Sequence, residues 1–145
     1  MRLVLDTDVL VAALRSDQGA SRQLLLAALE HRIDMLVSVP LALEYEAVLT
    51  RPEHLRGFGL TSGEVESILD AIVFVAERVS FQFLWRPQLK DPSDEMVLET
   101  AVNGNADYLA TFNLRHLREA AALFGIKAVV PGEIWRKLRN DYEKE

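Results

Sequence analysis

Arg2-Leu3-Val4-Leu5-Asp6-Thr7-Asp8-Val9-Leu10 is the stretch on which the fold of this chain turns. Its apolar run shows no polar alternation, the pattern of a strand buried on both faces at the centre of a parallel sheet covered by helices. The run ends in acid. In open α/β sheets ligands sit in the crevice beyond the carboxyl ends of the strands, and Asp6 falls there. A carboxylate crowded into such a place costs free energy unless a cation or a donor compensates it. Asp6 is therefore a candidate metal ligand or nucleophile, and a plain helix cap if it stands alone.

Strand and helix alternate along the rest of the chain. Asp8 to Arg15 reads as a short helix stopped by Ser16-Asp17-Gln18-Gly19. Ser21 is the expected cap of a second helix, with Leu24, Leu25, Ala28 and Leu29 on one face. Met35 to Val39 is a second strand, and Pro40 opens a helix over Leu41 to Thr50. Arg51 to Leu60, with Pro52, Gly57 and Gly59, reads as a loop. Thr61 to Glu64 matches a capping box ahead of Val65, Ile68, Leu69, Ile72 and Ala76 at helical spacing. Val79 to Leu84 is the expected third strand, followed by a connection over Trp85 to Lys90. Ser93 is the expected cap of a helix whose Met96, Val97, Thr100 and Ala101 face the core, stopped by Asn103-Gly104-Asn105. Ala106 to Thr111 is a strand, Leu114 to Phe124 a helix, Ile126 to Val130 a last strand, and Pro131 starts a closing helix. This repeat predicts an α/β fold with a largely parallel central sheet and right-handed crossovers that place helices on both faces.

With 145 residues, half of them hydrophobic, the chain suits a single domain over 1–145. It has no cysteine, which excludes disulfides and thiolate-held zinc and makes the cytoplasm the expected compartment. No basic leader or long apolar run is present, so a soluble chain without a membrane partner is expected. The formal net charge of −6 argues against a general electrostatic grip on nucleic acid but leaves room for a local basic rim around an acidic pocket. Arg15, Arg51, Arg56, Arg86, Lys90, Arg115 and Arg118 are available for such a rim, and equally for ordinary surface.

The other acids sort by position. Glu44 lies at the edge of the apolar arc of Leu41, Tyr45, Val48 and Leu49, while Glu46 points away. In the first turn after Pro92, Asp94 turns toward the apolar side, whereas Glu95 reads as a partner of the helix dipole. Asp107 begins its strand and so belongs to the structural end of the sheet; Thr111 and Asn113 fall at the carboxyl end beside Asp6. His116 stands near Asn113 with no acid-base partner evident. Asp6, Glu44, Asp94 and Asn113 thus approach from four strand-helix junctions. Carboxylates so gathered repel one another unless divalent cations neutralise them, and hard oxygen ligands select magnesium or manganese. Such ions activate water against a phosphodiester, which is nuclease chemistry.

With these residues in view the chain resembles the PIN domain family, in particular the VapC-type toxins of toxin-antitoxin pairs. Leu5-Asp6-Thr7-Asp8-Val9-Leu10 is similar to the family's opening motif, Leu43-Glu44-Tyr45-Glu46-Ala47-Val48-Leu49 to its second acidic motif, and Asp91 to Ala101 with Ala106 to Asn113 to its carboxy-terminal half. The resemblance implies a three-layer α/β/α sandwich and a magnesium- or manganese-dependent ribonuclease site. Asp6, Glu44 and Asp94 match the three principal acids and metal ligands, and Asn113 takes the position of a fourth. It also implies an RNA substrate, a homodimer and a cognate antitoxin. Two positions depart from the pattern: Asp8 stands where Asn or Ser is common, and Asn113 keeps an oxygen but loses a charge. Two alternatives follow from the same residues. In a haloacid-dehalogenase-type phosphatase Asp6 is the nucleophile and Asp8 the general acid, with Ser38, Lys90 and the Asp91/Asp94 pair in the remaining roles; Glu44 and Asn113 then have no task. The other is a catalytically silent PIN-like module that binds RNA or protein without cutting it.

Overall fold

β1 (Arg2–Leu5) is the middle strand of the sheet, and Leu3, Val4 and Leu5 are each 0% exposed. Successive strand side chains point to opposite faces, so three buried in a row require a helix layer on each face. The computed structural model describes residues 1–82 and 89–143. On one side of β1 lie β2 (Asp34–Val37) and then β3 (Glu77–Arg78); on the other lie β4 (Tyr108–Ala110) and then β5 (Lys127–Val129), all parallel. The chain builds outward from β1 in one direction and then returns to build in the other. The gap between the carboxyl ends of β1 and β4 is therefore the topological switch point, where α/β sheets open a ligand crevice.

Register places the site residues there. Leu5 lies opposite Ala110, so Asp6 and Thr111, the next residues, leave adjacent strands side by side. The Asp6 N–H still donates to the Ala110 carbonyl at 2.9 Å, and the Thr111 N–H to the Val129 carbonyl at 3.0 Å.

The covering helices are α1 (Thr7–Arg15), α2 (Ala20–Leu29), α3 (Val39–Leu49), α4 (Pro52–Phe58), α5 (Ser62–Val75), α6 (Pro92–Asn103), α7 (Leu114–Ala122) and α8 (Pro131–Glu143). α1 packs on α2 and α3, and α3 packs on α5 and α6. Ser38 caps α3 by accepting from the Leu41 N–H at 3.2 Å, and its hydroxyl also bonds the Thr100 hydroxyl of α6 at 2.8 Å. Tyr45, fully buried on α3, donates its hydroxyl to the Leu5 carbonyl and fastens that helix to the end of β1. The capping box of α5 forms as expected, with Thr61 and Glu64 bonding reciprocally at 3.1 Å. Among the described residues, no helix is long and apolar enough to cross a membrane.

Several local expectations need correction. Arg51 to Leu60 is not a loop: Pro52 opens α4 in its first turn, and Gly59, at φ +69°, closes it in the left-handed conformation that glycine adopts without strain. The third strand is Glu77–Arg78 instead of Val79 to Leu84; it is a polar edge strand, and Phe83 and Leu84 lie outside the described residues. Ser21 is buried inside α2, whose cap position is Gly19. Asp91, not Ser93, caps α6, accepting from the Ser93 N–H at 2.8 Å. α7 ends at Ala122, two residues short of the expected Phe124.

Candidate active site

Asp6 is the cap of α1, and both its oxygens are engaged. Oδ1 accepts from the Thr7 N–H and Oδ2 from the Thr111 hydroxyl, each at 2.7 Å. Thr111 is itself fully buried and accepts from the Asn113 N–H at 2.9 Å, so the β4–α7 turn and the start of α1 are joined at this carboxylate. Burial first, and then the charge of Asp8, push the Asp6 carboxyl up to about 7 from an ordinary 3.8; the two hydrogen bonds pull the other way, and Asp94 adds to the rise. Asp8, in the first turn of α1, is also pushed up by burial, with a further contribution from Asp94. The Phe112 N–H donates to Asp8 Oδ2 at 3.1 Å and opposes that shift. The Val9 N–H opposes it as well, and Asp8 Oδ1 is out of contact with solvent and makes no full hydrogen bond among the described residues.

Asp94 enters from the first turn of α6 and is buried at 7% exposure. The Asn113 side-chain amide donates to both its oxygens at 3.2 Å. Asn113 thereby steadies Asp94 through its nitrogen, where the resemblance implied an oxygen aimed at a cation. Glu44, half-buried on α3, reaches the group through Ser93, whose hydroxyl donates to Glu44 Oε1 at 3.2 Å. Because Asp91 takes the capping role on α6, the Ser93 hydroxyl is free for this contact. Among the described residues no three His, Cys, Asp or Glu side chains are drawn together tightly enough to form a metal cage outright. What the site offers is Asp6, Asp8 and Asp94 within electrostatic range of one another, with Glu44 one contact further out.

Sequence reasoning missed three participants. Glu95 is as buried as Asp94 and its Oε2 accepts from the Leu89 N–H at 2.9 Å, so it anchors the segment leading into α6 and is more than a dipole partner. His116 does have partners: its Nδ1 stands 3.2 Å from the Asn113 amide nitrogen and 3.5 Å from Asp94 Oδ2. Their spacing of three residues on α7 was the available signal. Asp8 was read as a departure from a pattern or as a phosphatase's general acid, and its tie to Phe112, which spans 104 residues, was not foreseen. A cleft of about 280 Å³ runs beside these acids, lined by Leu89, Lys90, Asp91, Asp94 and His116. Lys90 thus lines the cleft beside Asp94, while Arg15 lies against Gly57 and shares a groove with Asp17 and Arg22. Arg86 lies outside the described residues. Asp107 accepts from the Arg2 N–H at 2.8 Å at the opposite, amino end of the sheet.

The donors present suit a hard divalent cation. They are carboxylate oxygens, one of them buried without a partner, crowded enough that Asp6 resists ionising. No curated protein and no solved structure matches the chain. The model of the PIN domain, a fold whose members are typically nucleases, matches residues 2–115. That span takes in β1 to the start of α7 and every residue of the acidic group, and the chain belongs to the PIN domain family.

Proposed function

We propose that the chain is a magnesium- or manganese-dependent endoribonuclease, the toxin of a toxin-antitoxin pair, acting on cytoplasmic RNA as a homodimer held in check by its antitoxin. The observation that carries the nuclease reading is the Asp6, Asp8 and Asp94 group at the switch point, where burial first and then the neighbouring charges raise the Asp6 carboxyl to about 7. The toxin role, homodimer and antitoxin are supported by the resemblance of the motifs.

Asp6, Glu44 and Asp94 would hold the cation. When bound, it supplies the positive charge that acidifies a water and offsets the charge developing on a phosphodiester. The chain's own part is to keep the acids where they are needed. Thr7 and Thr111 fix Asp6, Asn113 fixes Asp94, and Ser93 fixes Glu44, so little reorganisation is left for the reaction itself. Lys90 and the exposed imidazole of His116 line the cleft beside Asp94 and offer donors to the phosphates of a strand lying along it. The phosphatase alternative loses one of its parts: Ser38 is 1% exposed, caps α3 and bonds Thr100, so it has no free hydroxyl for a phosphate.

The test is cleavage of a mixed RNA pool in magnesium or manganese against an EDTA control, with Glu44→Gln and a generic phosphate ester alongside. Metal-dependent cutting that falls by at least about 10- to 100-fold in Glu44→Gln is expected, with no phosphate release. Phosphate release without RNA cleavage would support the phosphatase instead, and neither activity the silent module. Growth arrest on expression in a bacterium, relieved by Glu44→Gln, tests the toxin role.

A further inference from the structure

We propose that Asp8 is a fourth cation-holding carboxylate of this site and supplies the charge missing at Asn113. The inference rests on the metal-dependent reading above and concerns how this chain in particular meets it. An acid in the first turn of a helix needs no more explanation than the helix dipole when it faces water. Asp8 does not face water with both oxygens. Its Oδ2 is held by the Phe112 N–H at 3.1 Å, and that bond fixes the plane of the carboxylate against the β4–α7 turn. Its Oδ1 is then left out of contact with solvent and makes no full hydrogen bond among the described residues, with only the Val9 backbone N–H acting on the carboxylate besides Phe112, an arrangement that costs free energy unless a ligand completes it.

The neighbours say which ligand. Asp8 is the strongest charged influence on Asp6, and Asp94 acts on both. A donor side chain could satisfy Oδ1 but would leave the three charges facing one another; a divalent cation answers both needs. Asn113, meanwhile, uses its amide nitrogen on the two oxygens of Asp94 and so supports a carboxylate instead of adding one. The Phe112 bond and the Asn113 amide belong to one turn. The charge missing at the cap position of α7 is thus found two residues beyond Asp6 on α1, braced by that same turn.

The chemistry implied is an all-oxygen set for magnesium or manganese. Asp8→Asn is the informative variant, because its side-chain carbonyl can still accept from Phe112 while the charge is lost. The probe is Mn2+ alone, titrated into the full-length protein without RNA and followed by calorimetry or by the paramagnetic signal of the free ion. Melting in EDTA confirms that each variant is folded. Asp8→Asn is expected to weaken Mn2+ binding by at least about tenfold. Adding Asn113→Asp to it, which puts a charge back across the site, is expected to recover most of that loss. Wild-type affinity in Asp8→Asn overturns the proposal, as does a loss that Asn113→Asp leaves uncorrected. A wild-type chain that binds no Mn2+ would instead strike at the metal-dependent reading itself, and RNA cleavage measured in parallel separates the two failures.

Discussion

At Asp6 the chain keeps a carboxylate where ionising it is costly, and the cost is measurable as stability. Its folded value, about 7, lies above the ordinary 3.8 because of burial and then Asp8, in spite of the bonds from Thr111 and Thr7. The folded state therefore holds this proton more tightly than the unfolded chain does. The resulting stabilisation is complete below about 3.8 and is lost as pH rises through about 7, by up to about 1.4 kcal/mol per pH unit inside that window. Asp6→Asn, which carries no charge, should melt a few degrees above wild type in EDTA at pH 8, with the gap narrowing toward pH 5. Calorimetry at the two pH values checks this, and equal melting at pH 8 would contradict it. The position of Asp6 was legible because it follows a buried run, and that of Asp94 because of its angle on a helix. Asp8 and Glu95 were not, because the donors that hold them come from elsewhere: the Phe112 N–H for one and the Leu89 N–H for the other.

Helices were readable wherever a side chain at an end announces one, as Thr61 and Glu64 do for α5. They were misread where the same residues serve two grammars. Pro52 and Gly59 punctuate loops, yet here they open and close α4. β3 was misplaced because an apolar run drew the eye past Glu77 and Arg78, and an edge strand has no need of two apolar faces. The exchange of roles at the start of α6 has a consequence for the site. Since Asp91 provides the cap, Ser93→Ala removes only the hydroxyl that steadies Glu44. It is expected to leave unfolding in urea within about 0.5 kcal/mol of wild type, as for a surface change, while slowing RNA cleavage about tenfold. A large loss of stability would place Ser93 in the helix instead of the site.

Taken whole, the sheet separates stability from chemistry by its two ends. At the amino end Arg2 pairs with Glu77 at 2.6 Å and donates to the Gly104 carbonyl at 2.7 and 3.1 Å, joining β1, β3 and the end of α6. Gly104 has no room for a side chain there: a Cβ would come within 2.8 Å of a Val79 methyl, 2.9 Å of a Leu36 methyl and 3.0 Å of the Thr100 carbonyl. Gly104→Ala should destabilise the domain by about 1–3 kcal/mol in urea, yet leave Mn2+ binding unchanged well below the melting point. Loss of the ion in that variant would mean the two ends are coupled. The α/β/α layering was legible from alternating strands and helices, and the parallel sheet from that repeat and the apolar run of β1 without polar alternation; the order β3-β2-β1-β4-β5, which creates the crevice, depends on pairings that no local pattern encodes. The most direct test of the central claim acts at the carboxyl end: RNA cleavage by the full chain in Mn2+ and in EDTA, with wild type beside Asp94→Asn. The expected result is cutting by wild type in Mn2+ alone and none by Asp94→Asn with its fold intact. Cutting that survives EDTA, or that Asp94→Asn performs at the wild-type rate, would contradict a metal-dependent site built on these acids.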